Sequence, residues 1–174
     1  MSKRKIEVVE YDKNWPKLFK EEADLIREIF KDEIIEIFHI GSTSVPGLKA
    51  KPIIDIMPIV KKIEEVDKKN EDIKKIGYEP KGEYGIIGRR FFMKGGDDRS
   101  HHVHIFQYDN EKAIERHIAV RDYLKTHKKE AEEYTEIKLK AAEKYPQDIN
   151  GYCEYKDKFV KELEKKALDW KNKK

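Results

Sequence analysis

Between His39 and Val60 the chain reads HIGSTSVPGLKAKPIIDIMPIV, a small-residue turn after one apolar run and a single acid inside the next. Gly41 lets the backbone approach a ligand closely, and Ser42 and Thr43 follow it with hydroxyls and amides suited to a phosphate oxygen. Asp55 is centred in an apolar segment, where a bare carboxylate would be costly to bury. A divalent ion would compensate it, since Mg²⁺ is held by one or two carboxylates together with substrate phosphates. Amides of the loop from Gly41 to Gly47 would do so equally well, with Asp55 then purely structural.

Other residues are of types that could join this chemistry. His102 and His104 stand two apart in an apolar run, so in a strand they face the same side. Beside the Asp55 strand they would make a set of two histidines and one carboxylate, which favours Zn²⁺, Mn²⁺ or Fe²⁺ over Mg²⁺. Paired histidines also serve as hydrogen-bonding or anion-contacting groups. His101 is expected on the opposite face, in solvent. Arg89 and Arg90 precede Phe91-Phe92, and alternation sends one of them to the site face, where a guanidinium grips phosphate or carboxylate at two points. A solvated edge charge is the alternative for either. Lys49 and Lys51 add positive charge near the loop, and Cys153, far from any histidine, reads as inert.

The elements that must position these groups follow from periodicity. Apolar residues from Trp15 to Phe30 recur at helical spacing behind Asn14 and Pro16, which predicts a helix from Asn14 to Phe30. Ile6 to Val9 reads as a brief edge strand or extended lead-in. Ile34 to Ile40 and Pro52 to Val60 read as strands, the second covered on both faces. Lys62 to Ile76 is predicted as one surface helix closed by Gly77. Tyr84 to Lys94 and His101 to Tyr108 are predicted strands of a hairpin joined by GGDDRS. Beyond them the pattern is helical: Asp109 to His127, Glu130 to Lys144, and Tyr152 to about Lys171 after a turn from Tyr145 to Gly151.

Composition bounds the class. A chain of 174 residues suits one domain, here read as an α/β core over 1–108 and a helical part over 109–174. Lys plus Arg number 38 and Asp plus Glu 35, interspersed to a net +3, which is a salt-bridged surface and not a nucleic-acid footprint. Only Lys171 to Lys174 is locally basic, and it reads as a frayed tail. One cysteine excludes an internal disulfide and a cysteine-based zinc site. The opening MSKRKIEVVEYD carries no apolar stretch of signal-peptide length and no window approaches a membrane span, so a cytoplasmic location is expected.

HIGSTSVPGL, AKPIIDI, RRFF, the histidines His102 and His104 with one residue between them, RDYL at Arg121 to Leu124, and Tyr134 four residues before Lys138 together resemble the GrpB family over nearly the whole chain. The resemblance implies a nucleotidyltransferase-like α/β fold: a mixed β-sheet with flanking helices, and a Gly-Ser pair followed about a dozen residues later by strand carboxylates that bind metal. A domain of this family is also found fused to dephospho-coenzyme A kinase. The resemblance further picks out Arg121, Asp122, Tyr134, Lys138, Tyr155 and Lys156. These could recognise an acidic ligand or, structurally, anchor and pair the helices. Active nucleotidyltransferases carry two acids one residue apart on the strand after the Gly-Ser turn, and here Met57 stands in the second place.

These readings lead to a protein that binds a nucleotide or phosphorylated small molecule, using Gly41, Ser42, Thr43, Lys51, Arg89, Arg90, Arg121, Tyr134 and Lys138. Metal-assisted transfer or hydrolysis at a phosphate would use Asp55 as metal ligand and His102 or His104 as co-ligand or general base, with Mg²⁺ or Mn²⁺, or Zn²⁺ if the histidines ligate. The alternatives are a non-catalytic binding module that kept the fold, and a metal-dependent hydrolase using the histidine pair.

Overall fold

Pro16 lies in the first turn of α1 (Trp15–Phe30), where its missing N–H costs the helix nothing. Asn14 occupies the capping position without a side-chain cap bond, so Pro16 and the burial of Trp15, Ala23, Ile26 and Phe30 define this helix. The computed structural model describes residues 5–173, and Lys174 of the basic tail lies outside them, as do the first four residues of the opening segment. Two compact units share the described residues: Asn14–Ile40 with Ile53–Ile114, and 5–13 with Gly41–Pro52 and 115–173.

The first unit is a five-stranded mixed sheet with α1 and two short helices. Its strands are β1 (Ile34–Ile40), β2 (Ile54–Val60), β3 (Tyr78–Pro80), β4 (Arg89–Lys94) and β5 (His101–Gln107), in the order β1-β2-β5-β4-β3. β2 runs antiparallel to β1 and parallel to β5, and β4 is antiparallel to both of its neighbours. Ile54, Ile56, Met57, Ile59 and Val60 are buried, which is why β2 reads as an unbroken apolar run. This is the mixed sheet with flanking helices that the sequence leads to.

Three local expectations are corrected. Residues predicted as one helix form α2 (Ile63–Asp67) and α3 (Asn70–Lys75). Tight bonds from the amides of Lys68 and Lys69 to Glu65 and Val66 end the first helix, and Val66 and Ile73 are both fully buried across the break. Tyr84 to Gly88 is a turn, with positive φ at Tyr84, Gly85 and Gly88, so β4 begins only at Arg89. β3, three residues ending in a proline, gives too short a period to be seen in sequence.

The second unit contains α4 (Glu111–Thr126) from Glu115 onward, α5 (Lys128–Lys144) and α6 (Ile149–Asn172). Val45 and Leu48 of the small-residue loop join Ala119, Tyr123, Leu124, Leu163 and Ala167 in its core. The lead-in shortens to one bridge, Val9 to Ala50, within the same unit. α6 starts three residues before the predicted Tyr152 because Asp148 accepts from the Gly151 amide at 3.1 Å. Gly151 therefore lies inside the helix, where an added Cβ would meet the Tyr145 ring at 2.4 Å. Lys171 continues α6 and is not a frayed end. No helix among the described residues is long and apolar enough to cross a membrane.

Candidate functional site

In the sheet unit, strand pairing sets Asp55 of β2 directly beside His102 of β5, and the two-residue period puts His104 on the same face. His104 Nε2 lies 3.0 Å and His102 Nδ1 3.6 Å from Asp55 Oδ1. Phe91 of β4, paired with His104, packs its ring against both imidazoles at 5.3 and 5.1 Å. The Asp55 side chain is 27% exposed. Burial acts to raise its pKa, but the bonds and charge of His102 and His104 outweigh that and hold it well below the usual carboxylate range.

The three side chains could hold a metal ion, since one ligand atom from each lies within 4.8 Å of the others. The far ring nitrogens do not suit one. A ligating histidine normally donates its other N–H to an acceptor. Here His104 Nδ1 faces Arg89 Nη1 at 3.3 Å, and a guanidinium only donates. His102 Nε2 is buried with no hydrogen-bond partner among the described residues. In types and spacing the set fits an ion, and in its proton inventory it does not.

Of the paired arginines, Arg89 is the one at this site. It is 6% exposed, stacks over Phe91 at 4.6 Å, and donates to the carbonyls of Tyr84 (2.8 Å) and Glu83 (3.2 Å). Arg90 instead makes a bidentate pair with Asp67, at 2.7 and 3.2 Å, which raises its pKa through that hydrogen bond. His101 does take the opposite face, but it is buried and not in solvent. Its Nδ1 lies 2.7 Å from Ser100 Oγ, its ring meets Tyr78, and burial lowers its pKa. Nearby, Tyr78 and Lys94 both donate to buried Glu22, a polar group that sequence reading missed because Glu22 sits on an ordinary charged helix. Met57 is fully buried, and Asp55 is the one acid in β2.

The helical unit holds the other candidates. Gly41 has φ +73°, a conformation that favours glycine, and turns the chain into the short 3-10 segment Ser42–Ser44. The Ser44 amide donates to the Gly41 carbonyl at 3.1 Å. Thr43 is buried. Lys138 of α5 reaches this turn: its Nζ donates to Ser42 Oγ at 3.1 Å and to the Lys49 carbonyl, and sits 4.4 Å over the Tyr134 ring. Lys51 and Lys156 each lie 4.8 Å over the Tyr152 ring. Burial, then the charges of Lys156 and Lys51, push the 2% exposed Lys138 ammonium down to about 7. Arg121 pairs with Asp122 at 2.9 Å. In this unit sequence reading also missed Tyr152, whose spacing of four from Lys156 was the available signal; its buried hydroxyl has no hydrogen-bond partner among the described residues.

Comparison with known proteins gives the same fold. Cid1 in complex with its short product ApU aligns at TM-score 0.52 and 17% identity, over 75% of this chain and 42% of that one. The Cid1 poly(U) polymerase bound to MgATP aligns at TM-score 0.51 and 14% identity, over 76% and 45%. Far nearer is the crystal structure of conserved protein GrpB from Enterococcus faecalis, with TM-score 0.91 and 45% identity over 94% of this chain and 98% of that one. UPF0157 protein YqkA of Bacillus subtilis is 47% identical over 97% of this chain, which spans about half (49%) of YqkA's length. Glutamate-rich protein GrpB of Alkalihalophilus pseudofirmus is 34% identical over 94% of this chain and 96% of its own. The profile of the GrpB proteins matches residues 5–166, and the chain belongs to the GrpB family.

Proposed function

We propose that this protein binds a nucleotide or another phosphorylated small molecule through the ammonium groups and turn of the helical unit. The observation that carries the reading is Lys138. It is buried, both of its acceptors are neutral oxygens, and Lys51 and Lys156 add like charge around it. Burial, then the like charges of Lys156 and Lys51, disfavour the ammonium form of Lys138, and an anion beside it would favour that form. A phosphate placed among these lysines would accept from Lys138 and from the Ser42 hydroxyl, and would restore full charge to Lys138. The shared fold of Cid1, seen with MgATP and with ApU, makes nucleotides the first compounds to test.

A second reading, a binding module without turnover, draws on Met57. The strand position where a nucleotidyltransferase carries its second acid is here a fully buried thioether, which offers no oxygen to a hard cation. Binding therefore does not require transfer.

Thermal denaturation with inorganic phosphate, pyrophosphate, AMP and ATP tests the proposal. A midpoint that climbs with ligand concentration in the native protein and not in Lys138→Met is the expected result. No shift with any of the four overturns it. AMP and ATP in molar excess over the chain then separate a nucleotide site from a general phosphate site.

A further inference from the structure

His104 has two nitrogens and, when neutral, one proton. Arg89 Nη1 points an N–H at Nδ1 from 3.3 Å, which occupies that lone pair and leaves the proton on Nε2. Nε2 in turn lies 3.0 Å from Asp55 Oδ1 and donates to it. For Nε2 to ligate an ion, the proton would have to move to Nδ1, where it would meet the guanidinium N–H head-on. The guanidinium has little room to withdraw, because Nη2 and Nε donate to the Tyr84 and Glu83 carbonyls and Phe91 lies beneath its plane. His102 adds a second obstacle. Ligation through its Nδ1 would place its proton on Nε2, a buried nitrogen with no acceptor among the described residues.

We infer that Arg89 fixes His104 as an Nε2–H donor to Asp55 and so removes it from any metal-ligand set, leaving a carboxylate held by imidazole in place of a metal centre. Arg89 is then a positioning residue that acts through His104. The hydrogen bond from His104 uses Asp55 Oδ1, and the closest approach of His102 is to the same oxygen. The chemistry left to the partly exposed carboxylate is acceptance through Oδ2, which suits a hydroxyl or amino group of a ligand. The inference concerns the sheet unit alone and does not depend on the anion site formed around Lys138.

The test is long-range proton–nitrogen correlation NMR of the whole chain labelled with nitrogen-15 histidine, in a Cys153→Ser background so that the exposed thiol does not compete for zinc. His104 should show an unprotonated Nδ1 and a protonated Nε2, and should keep both when one equivalent of ZnCl₂ is added. Loss of the Nε2 proton with a zinc-dependent shift overturns the inference. Arg89→Met removes the donor, so Nδ1 gains protonated population, and zinc affinity in competition with a chromophoric chelator should rise roughly tenfold or more. Arg89→Lys, which keeps a donor, should retain the native tautomer. A folded Arg89→Met protein with unchanged tautomer and unchanged zinc affinity also overturns the inference. If that variant does not fold, the spectrum of the native side chain decides alone.

Discussion

Lys138 Nζ donates to Ser42 Oγ at 3.1 Å across 96 residues of sequence, joining a buried ammonium to the turn that follows the first sheet strand. Both partners are neutral when the amine is neutral. The amine's charge state therefore sets the charge beside this turn.

Anion affinity should fall with rising pH. In the free protein Lys138 loses its proton near about 7, whereas a bound phosphate would hold that proton in place. Calorimetric titration with pyrophosphate at increasing pH should show affinity dropping by up to roughly tenfold per unit above neutrality. Lys138→Met should bind weakly and with a flat profile. A pH-independent affinity in the native protein contradicts the assignment.

The same lysine should imprint the stability profile. Its folded pKa is lowered from 10.5, so between about 7 and 10.5 the unfolded chain holds more protons and the native protein gains stability as pH rises. Urea denaturation should show Lys138→Met gaining most over the native protein below neutrality, by on the order of a few kcal/mol, with the gain shrinking towards pH ~10. A gap that does not change with pH would place the ammonium in a better solvated setting.

For Asp55 the sign is opposite. A carboxyl held low by two imidazoles contributes stability that is complete above its unfolded pKa and lost as acid carries the pH below ~4 and through the folded value. Asp55→Asn should cost about 1–3 kcal/mol at neutral pH, with the difference from the native protein fading in acid. Denaturant midpoints across that range measure it.

Restoring the missing acid should not restore a metal site. Met57→Asp would place a carboxylate at a fully buried position in β2, and a loss of about 3 kcal/mol or more is expected, seen as a collapse of the thermal midpoint. A stable Met57→Asp protein that gains Mg²⁺-dependent stabilisation would overturn this reading of the strand.

Gly151 should be intolerant of a side chain. An added Cβ would press on Tyr145 and, at 2.8 Å, on the capping carboxylate of Asp148. Gly151→Ala should therefore lower the midpoint, although alanine is the better helix former in open positions. Asp148→Ala should cost about 1 kcal/mol through the lost cap.

Local order was legible in the residues themselves. The spacing of Trp15 to Phe30, the β-branched run of Ile34 to Ile40 and the apolar run enclosing Asp55 each follow from periods of 3.6 or 2, and the strand period alone places His102 and His104 on one face. Element ends were less legible where a long-range or capping contact sets them, as at Asp148 and the turn before Arg89. Only the tertiary structure decided which arginine meets the histidines, since alternation sends Arg89 and Arg90 to opposite faces without saying which face is which. It alone also joined Lys138 to Ser42 and seated the small-residue loop in the helical unit. The physical reason is common to these cases: a side chain's direction is a local property of its backbone, whereas its charge state, tautomer and partner depend on what distant segments pack against it.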